Sequence, residues 1–507
     1  MGLLTKVISQ IWRGHPQQSA PVLAHVDLSA QTRMVKQRIK AVTTPTEALE
    51  CLRSDVRPLL EEVSQAGRMD LAAEIEALSY VYIVNATEQP EHCQACYDLL
   101  DTPLRELASR TEGGTYPTEH LPEDWRPKRW VFFVQNLTSH LAHSALLCDL
   151  IASYLEAHPA QATHIRVTGF LHGPVAQCFR TLQRAHAVQI TPLPGHHGKY
   201  PTLQKLARQI TSQGDERCIV VGPPFGVSFL SGILHAERLA WLSMKFELAS
   251  FESLSHRFSF TSARRVYKGV ERTHWRSAPP LLISEPTINQ TASLPHAEHI
   301  STFATVFYTI NREQKIRHPE FLDAVSRILL AIPDACFVWT GNKKLPEIGA
   351  RFEEQGVGNR CFFVGWIEPD ALLSHGHIFL DTPSLSGTVA AKAVACGRPV
   401  MTFQGAHSWV NFFSATLEND MPNEGAEHSL AAVRELLDSG LKLECATPDA
   451  YVQQSIALAK DSALRRIYAE GLRAFGQHYF LRNREYACMH FENFSSTLDD
   501  ASDEAVR

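Results

Sequence analysis

From Trp130 onward, short unbroken apolar runs alternate with stretches in which Leu, Ala and Val recur at three- and four-residue spacing. The first run is WVFFVQ, followed by SHLAHSALLCDLIASYLEAHP. Then come HIRVTGFL, a helical pattern around VAQCFRTLQRAH, VQITPLP, a further helical stretch, RCIVVGPP and RLAWLSMKFE. Runs that are apolar at every position predict strands covered on both faces. Alternating with helices, they predict a parallel sheet with right-handed crossovers. The pattern restarts after the Pro-rich SAPPLLISEP with ATVFYTI, HPEFLDAVSRILLAIP, ACFVWTG, LPEIGARFEEQG, CFFVGWI, PDALLSHG, HIFLDTP, a helix and PVMTF. The expected class is therefore α/β, with two Rossmann-like lobes over 128–298 and 299–480 and a cleft between the carboxyl ends of their strands. Ahead of them, PTEALECLRSDVRPLLEEVSQAGRMDLAAEIEALSYVYIV keeps helical spacing and predicts an all-α N-terminal domain over 1–125. TEGGTYPTEHLPEDWRPKR breaks that pattern as a linker, and 481–507 form a C-terminal helix and tail.

A chain of 507 residues exceeds one ordinary core, in keeping with several domains. The net charge of −6 is spread among interspersed acids and bases, so no electrostatic footprint for nucleic acid is expected. No apolar run reaches the roughly 18 residues of a membrane span, and MGLLTKVISQIWRGHPQQ lacks the apolar core and cleavage site of a secretory signal. Eleven scattered cysteines form no framework, which points to reduced thiols in a cytoplasm. Cys93 and Cys96 sit beside His92 with no second pair nearby, whereas structural zinc needs four ligands. No metal or cofactor is expected.

Candidate chemistry gathers where strands give way to helices. After HIFLDTP, the residues Ser384, Ser386, Gly387 and Thr388 open a helix whose unpaired N–H groups and dipole suit a phosphate. An ordinary strand-to-helix turn would use the same residues. Ala390, Ala391, Ala393 and Ala395 predict close packing of that helix on the sheet. After ATVFYTI, Asn311, Arg312 and Lys315 can gather around a diphosphate, where a fixed cation stabilises a leaving group; a solvated basic loop is the plain alternative. His140 and His143 follow the first strand of the first lobe on one helical face, able to polarise an acceptor or simply to cap and pack. His196 and His197 stand in the polar loop LPGHHGKY, able to line the acceptor side or simply to form a solvated loop, and VGPPFGVSF, around Gly222–Ser228, is expected to shape the cleft floor. There is no Walker pattern, no GxGxxG and no Asp-x-Asp in strand context.

Two of these segments resemble glycosyltransferase family 41, which includes the O-linked N-acetylglucosamine transferases and the bacterial adhesin N-glucosyltransferases. The resemblance lies in FYTINREQKIRHPEFLDAVSRILLAIPDACFVW, then NRCFFVGWIEPDALLSHGHIFLDTP with a Gly/Thr turn and GRPV, and more weakly in TSHLAHS and HAERLAWLSMKFE. It implies a GT-B fold, a UDP-sugar donor, a polypeptide acceptor and inversion at the sugar. Lys315 and Thr388 carry over as donor residues and His140 as a catalytic one. The bacterial members' helical N-terminal domain matches 1–125, where no period of about 34 residues occurs. Three positions depart from the family. The His before its paired threonines is deleted, Val389 replaces the second Thr, and Lys392 stands where a ribose-binding acid is usual. A lysine there must face ribose oxygens, a phosphate or an acid such as Asp381. The sequence leaves open a GT-B transferase acting on glycan or lipid-linked acceptors, or a noncatalytic protein binding nucleotide-sugar or a partner.

Overall fold

The computed structural model describes residues 27–42, 45–80, 90–111, 121–138, 142–194, 198–243, 254, 256–259, 276–277, 294–311, 313–341, 344–367, 369–383, 388–403, 444–479 and 483–495. Two all-parallel sheets carry the fold. The first contains β1 (Arg129–Val134), β2 (Ile165–Leu171), β3 (Gln189–Pro194), β4 (Glu216–Val221), β5 (Leu239–Ser243), β6 (His256–Ser259) and β7 (Arg276–Ser277), in the order β3-β2-β1-β4-β5-β6-β7. The second contains β8 (Thr305–Thr309), β9 (Ala335–Trp339), β10 (Cys361–Phe363), β11 (Ile378–Leu380), β12 (Val400–Phe403) and β13 (Glu444–Cys445), in the order β10-β9-β8-β11-β12-β13. In each sheet the first strand lies inside and the order reverses beside it, between β1 and β4 and between β8 and β11. Both lobes are doubly wound, as the alternating pattern requires.

Strand alternation explains why the apolar runs are unbroken. Along β1, Val131 and Phe133 join one core with the N-terminal helices, while Trp130, Phe132 and Val134 join another. β4 repeats this, with Cys218 and Val220 on the first side and Ile219 and Val221 on the second. Both faces are buried along the apolar part of each strand, which is why these runs carry no alternating polar positions.

The N-terminal helices (Leu28–Ala41, Pro45–Cys51, Arg57–Gln65, Met69–Leu78 and Pro90–Thr111) share a single core with the first sheet. They form one cover of the first lobe, beside helix Lys199–Gln213 and the short helix Val227–Ser231. The opposite face is covered by helices Ala142–Ala157 and Gln177–His186 and by the last helix, Asn483–Ser495, which returns from the second lobe. Its Phe491 stacks on Tyr154 with ring centroids 3.8 Å apart, and Phe494 meets Phe132 edge-on at 5.9 Å.

A buried cation ties this return to the linker. Arg217 of β4 is fully buried; its Nε donates to the Glu237 carbonyl at 2.7 Å and its Nη1 to the Phe494 carbonyl. Trp125 of the linker lies under Arg217 and Arg238, with centroid distances of 5.4 and 5.0 Å, and donates its Nε1–H to the Gly214 carbonyl at 3.1 Å. Among the described residues no helix is long and apolar enough to cross a membrane.

Candidate functional site

Two candidate segments of the second lobe follow adjacent strands at its switch point. β8 and β11 are adjacent, with Ile378 opposite Phe307 and Phe379 opposite Tyr308. The chain carrying Asn311 and Lys315 leaves β8, and the helix Thr388–Ala395 follows the neighbouring β11. Crevices of this kind, at the carboxyl ends of parallel strands, are where open sheets take ligands. Asn311 is buried, and its Nδ2 donates to Thr309 Oγ1 at 2.9 Å, which fixes the turn out of β8. Lys315 is half-buried on the short helix Glu313–Ile316, anchored by the fully buried Ile316. Arg312, Ser384, Ser386 and Gly387 lie outside the described residues, and Thr388 is placed as the first residue of its helix.

Asp381 is nearly inaccessible. Its Oδ1 accepts the Thr382 N–H at 2.9 Å, and its carbonyl accepts the Tyr451 hydroxyl at 3.0 Å. These bonds make it a brace for the exit from β11. The acidic partner of Lys392 is instead Asp370, in the helix Pro369–His375 that follows β10, with Nζ to Oδ1 at 3.3 Å. Both members are partly exposed, so the pair contributes little to stability and its effect is on local charge. A carboxylate from another helix thus stands beside position 392. Lys392→Asp would face Asp370 with a like charge. We expect UDP affinity to fall and not to improve, as read by calorimetric titration of wild type, Lys392→Ala and Lys392→Asp; tighter binding by the Asp variant would refute this.

The alanines of this helix answer to two surfaces. Ala390, Ala391 and Ala393 are fully buried, and helix Ser462–Tyr479 presses on the same helix from outside. A Cβ built on Gly476 of that outer helix would lie 2.5 Å from the Ala395 Cα. Small residues thus let a second helix close over the first.

On the first lobe, the loop after β1 is pinned by Thr138. Its hydroxyl accepts the His172 N–H at 3.0 Å, and its own N–H is received by Asn136 Oδ1 at 2.7 Å. His140 lies outside the described residues, as do His196 and His197. His143, in the first turn of helix Ala142–Ala157, packs on the turn after β4. A Cβ on Gly222 would meet the His143 ring at 3.3 Å, and Gly222 holds φ +84°, a conformation that suits glycine. Trp241 Nε1 donates to the Gly222 carbonyl at 2.8 Å and fixes that turn from below. VGPPFG therefore lies against a candidate histidine, at the switch point between β1 and β4.

A buried acid of the N-terminal helices reaches the turn after β4. Glu76 of helix Met69–Leu78 is fully buried; its Oε2 accepts the Tyr200 hydroxyl at 2.7 Å, and its Oε1 accepts the Gly226 N–H at 3.0 Å. Burial pushes its carboxyl up to about 8, against the opposing effects of Tyr200, the Gly226 N–H and the Lys199 charge, with Asp101 adding to the rise. The sequence carried a signal for this, since Glu76 falls three and four residues after the buried Ala73 and Ala72. A carboxyl held above its unfolded value makes the folded state bind the extra proton. That stability is complete below about pH 4.5 and is lost as pH rises through about 8. We expect Glu76→Gln to remove this decline, on the order of a few kcal/mol, measured as denaturant midpoints of both proteins from pH 5 to 9.

Compared by sequence, the chain matches no protein-family model and no curated protein. Compared by structure, it is similar to a variant of the O-GlcNAc transferase of Thermobaculum terrenum, at 15% identity and a TM-score of 0.52, covering 94% of this chain and 99% of that one. It is similar to HepE of Anabaena in complex with UDP and glucose, at 12% identity and a TM-score of 0.50, covering 72% of this chain and 99% of that one. A glycosyltransferase of Rickettsia africae matches at 9% identity and a TM-score of 0.50, covering 72% of this chain and 98% of that one. At such identities the likeness is one of backbone architecture: two doubly wound lobes in the arrangement of the GT-B glycosyltransferases.

Proposed function

We propose that the chain is a cytoplasmic glycosyltransferase that moves a hexose, glucose or N-acetylglucosamine, from a UDP-sugar to a protein side chain with inversion. The observation that supports this reading is that the segment with Asn311 and Lys315 and the helix begun by Thr388 follow adjacent strands at the switch point of a GT-B fold. A diphosphate leaving group needs fixed positive charge and N–H donors, and a lysine beside a helix N-terminus supplies both without bulk reorganisation. The second lobe would hold the donor through Asn311, Arg312, Lys315, Ser386, Gly387, Thr388 and the Lys392–Asp370 pair. His140 would act on the acceptor, with His143 and His197 on the same side. Inversion calls for in-line attack, so acceptor and diphosphate would lie on opposite faces of the sugar. A polypeptide acceptor is favoured by the match to a protein of that activity over nearly the whole chain, N-terminal helices included.

The test is turnover of UDP-glucose and UDP-N-acetylglucosamine by purified protein, alone and with a pool of synthetic Asn-, Ser- and Thr-containing peptides. Release of UDP with a sugar mass added to peptide is expected. Binding without turnover across donors and acceptors would favour a noncatalytic lobe pair. Because the charge in this site is supplied by Lys315 and a helix end, we expect activity to survive EDTA. Complete loss restored by manganese or magnesium would count against the charge assignment.

A further inference from the structure

The segment between β4 and β5 is gripped at both ends by the N-terminal helices. At its start, Gly226 precedes helix Val227–Ser231 with φ +79° and donates its N–H to Glu76. At its end, a Cβ on Gly232 would lie 2.4 Å from the Arg105 carbonyl and 2.8 Å from the Ala108 Cβ, so helix Pro90–Thr111 rests directly on that backbone. The same carboxyl group receives the Tyr200 hydroxyl from the first turn of helix Lys199–Gln213, three residues after His197 in the chain. Tyr200 stacks on Phe229 at 4.1 Å, and Lys199 lies over the Phe225 ring at 4.9 Å.

Docking a helical cover on an apolar sheet requires no buried acid, and a buried carboxylate is costly unless its bonds are complete. Here the bonds go to the two turns that border the acceptor side, one of which carries Gly222 against His143. We propose that Glu76 and the Gly232 contact make the N-terminal helices a positioning element for the acceptor side of the cleft, setting the 222–232 segment and the start of helix Lys199–Gln213 without touching the donor. This rests on the transferase reading for what is positioned, whereas the grip itself can be read without any activity.

Three variants test it: Glu76→Leu, which leaves the Gly226 N–H and Tyr200 hydroxyl without their acceptor; Glu76→Gln, which keeps a carbonyl for Gly226 and an amide for Tyr200; and Gly232→Ala, which pushes on helix Pro90–Thr111 and leaves Glu76 unaltered. Hydrogen exchange of the folded full-length proteins should accelerate at least tenfold over 198–203 and 222–232 in Glu76→Leu. In Gly232→Ala it should accelerate over 222–232, and in Glu76→Gln it should stay within threefold of wild type. The second lobe should be unchanged in all three. With UDP-glucose and the Asn-, Ser- and Thr-containing peptide pool, Glu76→Leu and Gly232→Ala should raise the peptide KM about tenfold with the UDP-glucose KM within threefold. Glu76→Gln should restore the peptide KM. Unaltered exchange over 222–232 in both Glu76→Leu and Gly232→Ala would overturn the grip, active protein or not. Faster exchange with an unchanged peptide KM would overturn the acceptor role. Failure of wild type to turn over any donor, with exchange behaving as expected, would refute the transferase reading and leave the grip established.

Discussion

Lys315→Ala should lower kcat/KM for the UDP-sugar by roughly tenfold to a hundredfold while leaving the unfolding midpoint where it is. The size follows from losing one charge-assisted contact to a diphosphate, about 1.5–3 kcal/mol. The unchanged midpoint follows from the position: Lys315 is half-exposed, and the residue anchoring its short helix is the neighbouring Ile316, fully buried. Lys315→Arg keeps the charge and changes its shape, so a partial loss is expected there. Donor kinetics equal to wild type in a folded Lys315→Ala protein would remove Lys315 from the site, and with it the account of how the leaving group is stabilised.

The largest stability effect should come from Arg217→Ala. The substitution deprives the Glu237 and Phe494 carbonyls of their donor, leaves Glu237 without a cation 3.6 Å away, and takes away the guanidinium lying over Trp125. Removing one partner from a buried charged network costs about 3–5 kcal/mol, which is a large share of a typical folded protein's margin. Denaturant titration should show it as a lowered midpoint, with the signal from residues 483–495 lost first in hydrogen exchange. A loss below about 1 kcal/mol would mean that the surrounding aromatic contacts hold the last helix without this cation.

What the sequence made legible was decided by periodicity. Residues 130–134 of β1, 218–221 of β4 and 306–308 of β8 are apolar at successive positions because both faces are buried there, and that pattern is visible without any structure. The short strands β6, β7 and β13 were not visible, since HRFS, RS and EC contain no apolar run like those of β10, β11 and β12, and their pairing is set by neighbouring strands. That Asn311 and Lys315 follow a strand was legible from the apolar run before them. The pairing of Lys392 with Asp370 was not, because ion-pair partners on different helices follow from crossover geometry. Nor did helical spacing reveal that the N-terminal segment shares its core with the first sheet. An amphipathic face shows that something covers it, and only the packed structure shows what. Trp125 gave no signal in the linker, since a turn-rich stretch offers no pattern from which to read two arginines lying over one ring.

The last helix gives the molecule an unusual birth order. Arg484 pairs with Glu156 across 328 residues of sequence, and Ala487, Phe491 and Phe494 complete a core whose other buried members belong to the first lobe. A ribosome releases the chain from its amino end, and domains ordinarily fold as they emerge. Here the first lobe is synthesised early but keeps Trp130, Phe132 and Tyr154 uncovered until the whole second lobe has been made. A nascent chain stalled before residue 483 should therefore carry a folded second lobe beside a first lobe that still presents a strip of aromatic rings. Such a chain would bind hydrophobic dyes and general chaperones, and release of the final helix would end that binding.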